Sequence, residues 1–262
     1  MEAKISVLMG VYNCEDTLAK SLNSLLEQTF QDFVVIICDD GSKDNTYNVA
    51  KKYFNNYPNK FILLKNEQNM GLTYTLNKCL NLVDTEFVAR QDGDDISYPT
   101  RFEKEYDFLQ KHSEYAFVSC AMDYADETGI WNTGKVTERP VLKNFAFGNP
   151  FCHAPSMIRS SALRDANGYR DIEKTRGVED YDLWFRFYSC GYKGYNISEP
   201  LYQMFDGKAA QSRRTFKRRL NEAWVMFDGF RKSNPIYCIF ALKPIIVSIM
   251  PLWLYRLLRR TH

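Results

Sequence analysis

Two acidic groups in the sequence have the residue types and the spacing to do chemistry. The first is Asp39-Asp40-Gly41 and the second is Asp92-Gly93-Asp94-Asp95. If the fold places them side by side, their charges repel unless a cation or a proton lies between them. Carboxylate ligands alone favour Mg²⁺ or Mn²⁺ over zinc. Asp-Gly sequences also form turns, so either group alone could be structural, whereas the two together predict a metal site.

The segments around these groups predict the elements that position them. Apolar runs predict strands at Ile5–Val11, Phe33–Cys38, Phe61–Leu64, Phe87–Ala89 and Ala116–Cys120. Helical patterns lie between them at about 17–28, 46–57, 72–82 and 100–112. We expect Asp16 to cap the first helix. This alternation predicts an α/β fold with a Rossmann-like, mostly parallel sheet and helices on both faces. Ligands of such sheets bind beyond the carboxyl ends of the strands, where both acidic groups lie.

The second half of the chain is less regular. Residues 123–150 predict loop structure because they are rich in Gly, Asn, Thr and Pro. A short strand at Ser156–Arg159 and a helix from about residue 160 follow. A further helix is predicted from Glu179 to about Cys190, and Gly191 is a suitable residue to end it.

Several classes of protein are disfavoured by what the sequence lacks. The first strand ends in Gly10-Val11-Tyr12-Asn13, without the G-x-G-x-x-G of nicotinamide and flavin enzymes. A nucleotidyltransferase would also be expected to carry a glycine-rich loop here. The seven cysteines form no C-x-x-C pair, so a reducing cytoplasm is expected. The N-terminus shows no signal-peptide pattern, and we find no nucleic-acid-binding module.

The motifs, taken in order, resemble glycosyltransferase family 2, whose members are inverting enzymes with the GT-A fold. Five motifs within residues 4–205 carry the resemblance: Ile5 to Asn13, Asp39-Asp40-Gly41-Ser42, Asn69-x-Gly71-Leu72, Asp92-Gly93-Asp94-Asp95 and Glu179-Asp180-Tyr181-Asp182-Leu183-Trp184. Gly10 is a departure, since the family usually has Pro there. Residues 88–103 most resemble enzymes of bacterial exopolysaccharide and O-antigen synthesis. The resemblance implies sugar transfer from a nucleotide sugar, a UDP-sugar, to a growing lipid-linked saccharide.

The resemblance also implies which residues bind the donor. The donor-binding residues would be Val11, Tyr12, Asn13, Glu15, Asp40, Arg90, Asp92 and Arg101. Among them, Asp40 would bind the base, and Arg101 would hold Asp94 or a phosphate unless it is a helix-surface arginine. Asp92 and Asp94 would bind Mn²⁺ or Mg²⁺, which neutralises charge on the departing diphosphate. Some relatives complete the metal shell with a later His; residues 202–208 contain none, which leaves the remaining ligands open.

Asp180 is implied to be the general base. At the start of a helix the dipole favours its ionised form, which takes the proton of the acceptor hydroxyl. Glu179 and Asp180 could instead only cap the helix. His153, Glu179 and Trp184 are the candidates for acceptor binding, although His153 could be structural and Trp184 could belong to the core.

The charge distribution divides the chain into a catalytic domain, residues 1–206, and a helical extension, residues 207–262. The extension has 12 Lys and Arg against 2 acidic residues, a net charge of +10, whereas residues 1–206 carry −8. Its apolar part, Pro235–Tyr255, is interrupted by Lys243 and two prolines. This pattern predicts a helix that lies on an anionic membrane rather than spanning it, or that packs on the domain. We therefore expect a cytoplasmic enzyme held at the inner face of the cell membrane. A catalytically inactive, membrane-tethered subunit that binds nucleotide or glycan is the alternative, and Asp94 and Asp180 argue against it.

Overall fold

The computed structural model of the chain describes residues 3–206 and 215–249. The strands are β1 Ile5–Val11, β2 Phe33–Asp39, β3 Phe61–Lys65, β4 Phe87–Arg90, β5 Ile96–Ser97, β6 Phe117–Asp126, β7 Gly129–Thr133, β8 Met157–Arg159 and β9 Gly194–Phe205. The α-helices are α1 Leu18–Leu26, α2 Thr46–Asn56, α3 Leu72–Leu80, α4 Arg101–Lys111, α5 Ser160–Asp165, α6 Glu179–Ser189, α7 Phe216–Ser233 and α8 Lys243–Ile249. Short 3-10 helices occupy Leu142–Phe147, Glu173–Thr175 and Pro235–Leu242.

The strands form a continuous sheet in the order β3-β2-β1-β4-β8-β6-β9-β5, with β7 paired to β6. The first four strands are parallel, and β6 and β9 are also parallel. β8 enters antiparallel between β4 and β6, while β5 and β7 are antiparallel to their neighbours. The predicted α/β class is confirmed. The predicted parallel arrangement holds for β1 to β4, whereas the pairings of β5 to β9 are partly parallel and partly antiparallel.

Helices cover both faces of this sheet, as the sequence predicts. Side chains alternate along a strand, so neighbouring residues of β1 point to opposite faces. Val7 belongs to a buried cluster with Leu22 of α1 and Leu109 of α4. Leu8 belongs to the cluster on the other face, with Leu76 of α3 and Phe187 of α6.

Two local predictions are wrong. Residues 123–150 are not only loop, because β6 continues to Asp126 and turns at Gly129, which has φ +116, into β7. The β7 residues are all exposed, so no alternation of buried apolar side chains marks this strand. Asp16 does not cap α1; the preceding residue is Thr17, whose side chain makes no capping hydrogen bond to the helix. The turn into α1 instead uses the Cys14 carbonyl as acceptor.

Helix α7 packs directly on α6. Val225, Met226 and Phe230 are buried, and the Phe230 and Phe185 rings lie 4.9 Å apart between centroids. Arg170 pairs with Asp182 of α6 and, at 3.2 Å, with Asp228 of α7. The described part of the extension therefore shares a hydrophobic core with residues 3–206.

The predicted extension is only partly covered by the structure. Its basic segment 207–214 and its C-terminal segment 250–262 lie outside the described residues. Within residues 3–206 and 215–249, no helix combines the length and the apolar character needed to cross a bilayer.

Candidate active site

One large cavity lies where the carboxyl end of β4 meets the N-terminus of α6. It has a volume of about 1020 Å³. The predicted site residues in its lining are Arg90, Asp92, Asp94, His153, Glu179 and Asp180. The fold thus brings the second acidic group and the Glu-Asp pair, which are far apart in the sequence, to one place.

The predicted nucleotide-binding loops after β1 and β2 are tied to each other. Asn13, with φ +48, donates its backbone N–H to Ser42 Oγ over 3.0 Å. Glu15 Oε2 accepts the backbone N–H of Asn45 over 2.8 Å. Val11 is buried, whereas Tyr12 is 41% exposed. None of these predicted donor-binding residues belongs to the lining of the large cavity.

Gly93 brings the acidic loop after β4 against the loop after β1. A Cβ atom at this position would lie 2.9 Å from Cys14 Sγ and 3.0 Å from Val11 Cγ1. Only glycine allows this approach without displacing a neighbour. The predicted nucleotide loop therefore adjoins the acidic loop that faces the cavity.

Asp40 is held by neighbouring protein groups. Its carboxylate is 4% exposed and accepts backbone N–H groups from Met70 at 2.8 Å and Gly71 at 2.9 Å. It also accepts Asn66 Nδ2 at 2.8 Å. Asp40 thus orders the loop before α3, a role that the sequence motif alone did not reveal. A carboxylate has about four acceptor positions, and the predicted contact with the base stays a prediction.

The acidic loop after β4 contains carboxylates in two different environments. Arg90, fully buried, pairs with Asp92 Oδ1 over 2.6 Å, and both Asp92 and Asp94 are half-buried in the cavity wall. Asp95 is buried and accepts the backbone N–H of Phe205 over 2.9 Å. Burial raises the pKa of Asp95, and the charges of Asp92 and Asp94 raise it further. Asp95 also lines the cavity, but Asp92 and Asp94 are the more exposed carboxylates of this loop and are better placed to bind a ligand.

These two carboxylates fit a divalent cation that is shared with a substrate. Residues 3–206 and 215–249 contain no group of three or more His, Cys, Asp or Glu side chains placed to hold a metal by themselves. Mg²⁺ is commonly held by one or two carboxylates together with substrate phosphates. Asp92 and Asp94 match that donor set, and a cation there would offset the repulsion that raises the pKa of Asp95.

The first turn of α6 presents two adjacent carboxyl groups, those of Glu179 and Asp180. Asn149 Nδ2 donates to Asp180 Oδ2 over 2.7 Å. Burial raises the pKa of Asp180, while the Tyr181 backbone N–H and the Arg218 charge act in the opposite direction. Burial, and then the charge of Asp180, raise the pKa of Glu179 to about 7. The charge of one carboxyl group therefore affects the protonation of the other. A single Asn in a loop gave no sequence signal, so Asn149 was not predicted.

His153 lies in the cavity wall beside these carboxyl groups. Its Nε2 lies 2.8 Å from the hydroxyl of Tyr169. Burial, together with the charge of Arg90, lowers the pKa of His153 well below its ordinary value. His153 is therefore neutral at physiological pH, so it can donate or accept a hydrogen bond but brings no charge to the site.

Arg101 and Trp184 do not belong to the lining of the large cavity. Arg101 is fully buried and pairs with Glu105 at 3.2 Å, with further hydrogen bonds at 2.8 Å to Ser97 Oγ and the Arg90 carbonyl. Trp184 is fully buried and stacks on Phe117 with 4.3 Å between ring centroids. The predicted contacts of Arg101 with the donor and of Trp184 with the acceptor are not supported by this placement.

Comparison with known proteins identifies the family. Residues 6–170 match the family described as Glycosyl transferase family 2. The chain is 40% identical over 250 residues to EpsE of Bacillus subtilis (strain 168), which is named as a glycosyltransferase, with 95% of this chain and 90% of EpsE covered. It is 26% identical over 240 residues to the Escherichia coli UDP-Glc:alpha-D-GlcNAc-diphosphoundecaprenol beta-1,3-glucosyltransferase WfaP, covering 90% of this chain and 91% of WfaP.

Among solved structures, the fold is similar to that of S. aureus TarS 1-349 in complex with UDP-GlcNAc. The TM-score is 0.72 at 21% identity, over 87% of this chain and 66% of the TarS chain. The architecture is thus that of the GT-A glycosyltransferases, as the sequence predicts. The chain belongs to glycosyltransferase family 2 and is a glycosyltransferase.

Proposed function

We propose that this glycosyltransferase moves a sugar, with inversion, from a UDP-sugar to a lipid-linked saccharide during cell-surface polysaccharide synthesis. The observation that carries the proposal is that Asp92 and Asp94 share one cavity with Asp180. A cation that stabilises the leaving group and a base that accepts the proton both assist when a hydroxyl displaces a nucleoside diphosphate. The donor and acceptor classes are suggested by the name of WfaP, which contains UDP-Glc and a diphosphoundecaprenol-linked sugar.

The donor would lie between the tied loops and the acidic loop. Asn13, Glu15 and Asp40 would position the nucleotide, and Asp92 and Asp94 would hold Mn²⁺ or Mg²⁺ near the diphosphate. The cation supplies positive charge that stabilises the departing diphosphate. Arg90 fixes Asp92 by their ion pair, so that this carboxylate is oriented before the donor binds.

Asp180 would act as the general base. Its ionised carboxylate takes the proton of the acceptor hydroxyl while that oxygen attacks the anomeric carbon opposite the leaving group, which inverts the configuration there. The raised pKa of Asp180 brings its basicity closer to neutral pH. Asn149 stabilises the ionised form and holds it in place. Glu179 and His153 lie in the same wall and would contact the acceptor.

We also propose that the extension holds the enzyme on the anionic, cytoplasmic face of a membrane. An exposed apolar patch is formed by Ile236, Ile239, Leu242 and Ile246, together with Phe147. Phe147 is part of this patch because its ring contacts Phe240 and its carbonyl accepts Lys243 Nζ over 2.7 Å. An apolar face combined with basic residues is typical of segments that lie in the membrane interface.

The substitution Asp180→Asn tests the base. The rate of transfer of labelled sugar to lipid-linked acceptors should fall by about 10²- to 10⁴-fold, because an amide accepts no proton at neutral pH. The affinity for UDP, measured by calorimetry, should stay unchanged. Asp107→Asn is the matched control, since Asp107 lies on α4 and pairs with Lys111 on the surface.

Two outcomes would count against this function. Transfer at nearly the wild-type rate by Asp180→Asn would show that Asp180 is not the base; the N-cap of α6 is Val178, so Asp180 would then be only a residue of its first turn. A wild-type protein that binds UDP but transfers no sugar would instead favour the inactive, nucleotide-binding subunit.

A further inference from the structure

A second, smaller cavity opens beside Asp180, on the side of α7. Its volume is about 180 Å³. Helix α7 contributes Arg218, Arg219 and Glu222 to its lining, opposite Val178 and Tyr181. Asn149, Asp180 and Arg218 line both cavities. This side cavity therefore continues the large cavity past the candidate base.

The side cavity contains the guanidinium group of Arg218, whose charge acts on nearby Asp180 but forms no direct ion pair among the described residues. Within residues 3–206 and 215–249, the Arg218 side chain forms no ion pair and no hydrogen bond. Its aliphatic part packs on Gly177, where a Cβ atom would lie 3.5 Å from Arg218 Cδ. Arg219 pairs with Glu222 at 2.7 Å. Arg218 is thus positioned next to the cavity, and its charge is available to a ligand.

The position of Asp180 indicates which substrate can reach the Arg218 guanidinium group. The donor diphosphate belongs near Asp92 and Asp94, and the acceptor hydroxyl must contact Asp180. The remainder of the acceptor then extends from Asp180 away from the donor, which is the direction of the side cavity. A guanidinium group matches the oxygens of a phosphate by paired hydrogen bonds. The negative charge of Asp180 would repel an anion this close to it unless a positively charged guanidinium group bound that anion.

The apolar patch lies on the same side of the site. Phe147 belongs to the patch, and Asn149 lines the side cavity. Two residues of chain span at most about 7 Å. A lipid chain on the patch and a diphosphate in the side cavity are therefore at a distance that one lipid-linked molecule can cover.

We infer that Arg218, with Arg219 beside it, binds the diphosphate of a lipid-diphosphate-linked acceptor. This inference rests on the proposed function and names the acceptor group that the site recognises. It assigns to α7 a part in substrate selection, since an acceptor without the diphosphate would lose these contacts.

Inorganic pyrophosphate is a probe for this site when the donor site is already filled. We would titrate pyrophosphate by calorimetry into the full chain saturated with UDP and Mg²⁺. Wild-type protein should bind it, Arg218→Gln should bind it at least tenfold more weakly, and Arg218→Lys should retain part of the affinity. Lys217→Gln is the control on the same helical turn, because Lys217 is exposed and pairs with Glu173.

The UDP titration separates this inference from the proposed function. If UDP binds but pyrophosphate binds neither protein, or binds wild type and Arg218→Gln equally, the inference is wrong and the proposed function stands. If Arg218→Gln weakens UDP itself, Arg218 belongs to the donor site and the inference is also overturned. If wild-type protein binds no UDP, both fail.

Discussion

Asn149 donates its side-chain amide to the carboxylate of Asp180 over 2.7 Å. Asn149 comes from the loop after the 3-10 helix Leu142–Phe147, whereas Asp180 is the second residue of α6. The contact joins two segments that are 31 residues apart in the chain. It fixes the direction of the candidate base, and it favours the ionised form of that base.

Replacing Asn149 by Ala should move the acid limb of the pH–activity profile upward. The base works when ionised, so activity falls as the pH falls through its pKa. Burial already raises the pKa of Asp180, and loss of a donor to the carboxylate raises it further. A hydrogen bond to a charged group contributes about 1.5–3 kcal/mol, which corresponds to about one to two pH units. The measurement is kcat/KM between pH 5 and 9. Asn132→Ala, on the exposed strand β7, should keep the wild-type profile, and an unshifted limb in Asn149→Ala would contradict this role.

Asp94→Asn should weaken UDP binding in Mn²⁺ by at least about tenfold, because an anionic ligand that attracts the cation is worth several kcal/mol. Calorimetry with UDP in Mn²⁺ and in EDTA measures the effect, which should vanish in EDTA. Asp84→Asn provides the control: Asp84 is exposed and precedes β4, at the end of the strand opposite to Asp94. Equal UDP affinity of Asp94→Asn and wild type in Mn²⁺ would remove Asp94 from the metal site.

Because of Glu179, the free energy of unfolding should fall as the pH rises from 5 to 8. Burial and the Asp180 charge raise its pKa to about 7 from the ordinary 4.5. The folded protein therefore holds this proton more tightly than the unfolded chain, and stability declines as the pH rises through that window. Urea unfolding at the two pH values should show a smaller decline for Glu179→Gln. Glu127→Gln, an exposed change in the turn between β6 and β7, should behave like wild type. An identical decline in Glu179→Gln would show that its pKa is not raised.

The apolar patch should determine membrane binding. Ile236 and Ile239 are 75% and 65% exposed, respectively. Burying an isoleucine side chain contributes about 1.5–3 kcal/mol, so replacing both by Ser should reduce co-sedimentation with anionic vesicles at least tenfold. Ile130→Ser is the control, because Ile130 is 55% exposed on β7. Equal co-sedimentation of the double variant and wild type would reject the patch as the membrane contact.

The sequence predicted the first half of the fold well because its strands are buried. Ile5–Val11 and Phe33–Asp39 have almost continuous apolar runs, since helices cover both faces of the sheet. Strand β7 was missed for the opposite reason, since all five of its residues face solvent. The sequence therefore reveals a strand only where burial requires a run of apolar residues.

The predicted site residues that share the large cavity include carboxylates that short motifs bring to the ends of strands and helices. Asp92, Asp94 and Asp180 do line one cavity. Arg101 illustrates what the sequence could not show, because a charged residue next to a motif looks functional until its buried partner Glu105 is known. Arg218 illustrates the converse. It lies 38 positions after Asp180, in a basic helix that gave no sign of facing the site.

The packing of α7 determines how much of this chain can be removed. Phe230 covers Phe185 of α6, and Gly229 lies so close to that ring that a Cβ atom would come within 2.3 Å of it. A truncated polypeptide ending at residue 206 would expose this apolar surface to water and leave the side cavity with only one wall. The boundary that the charge distribution suggests, at residue 206, is therefore not a suitable point for truncating the chain. A fragment that keeps the core closed must extend beyond α7, because Ala241 belongs to the same buried cluster as Phe185 and Phe230.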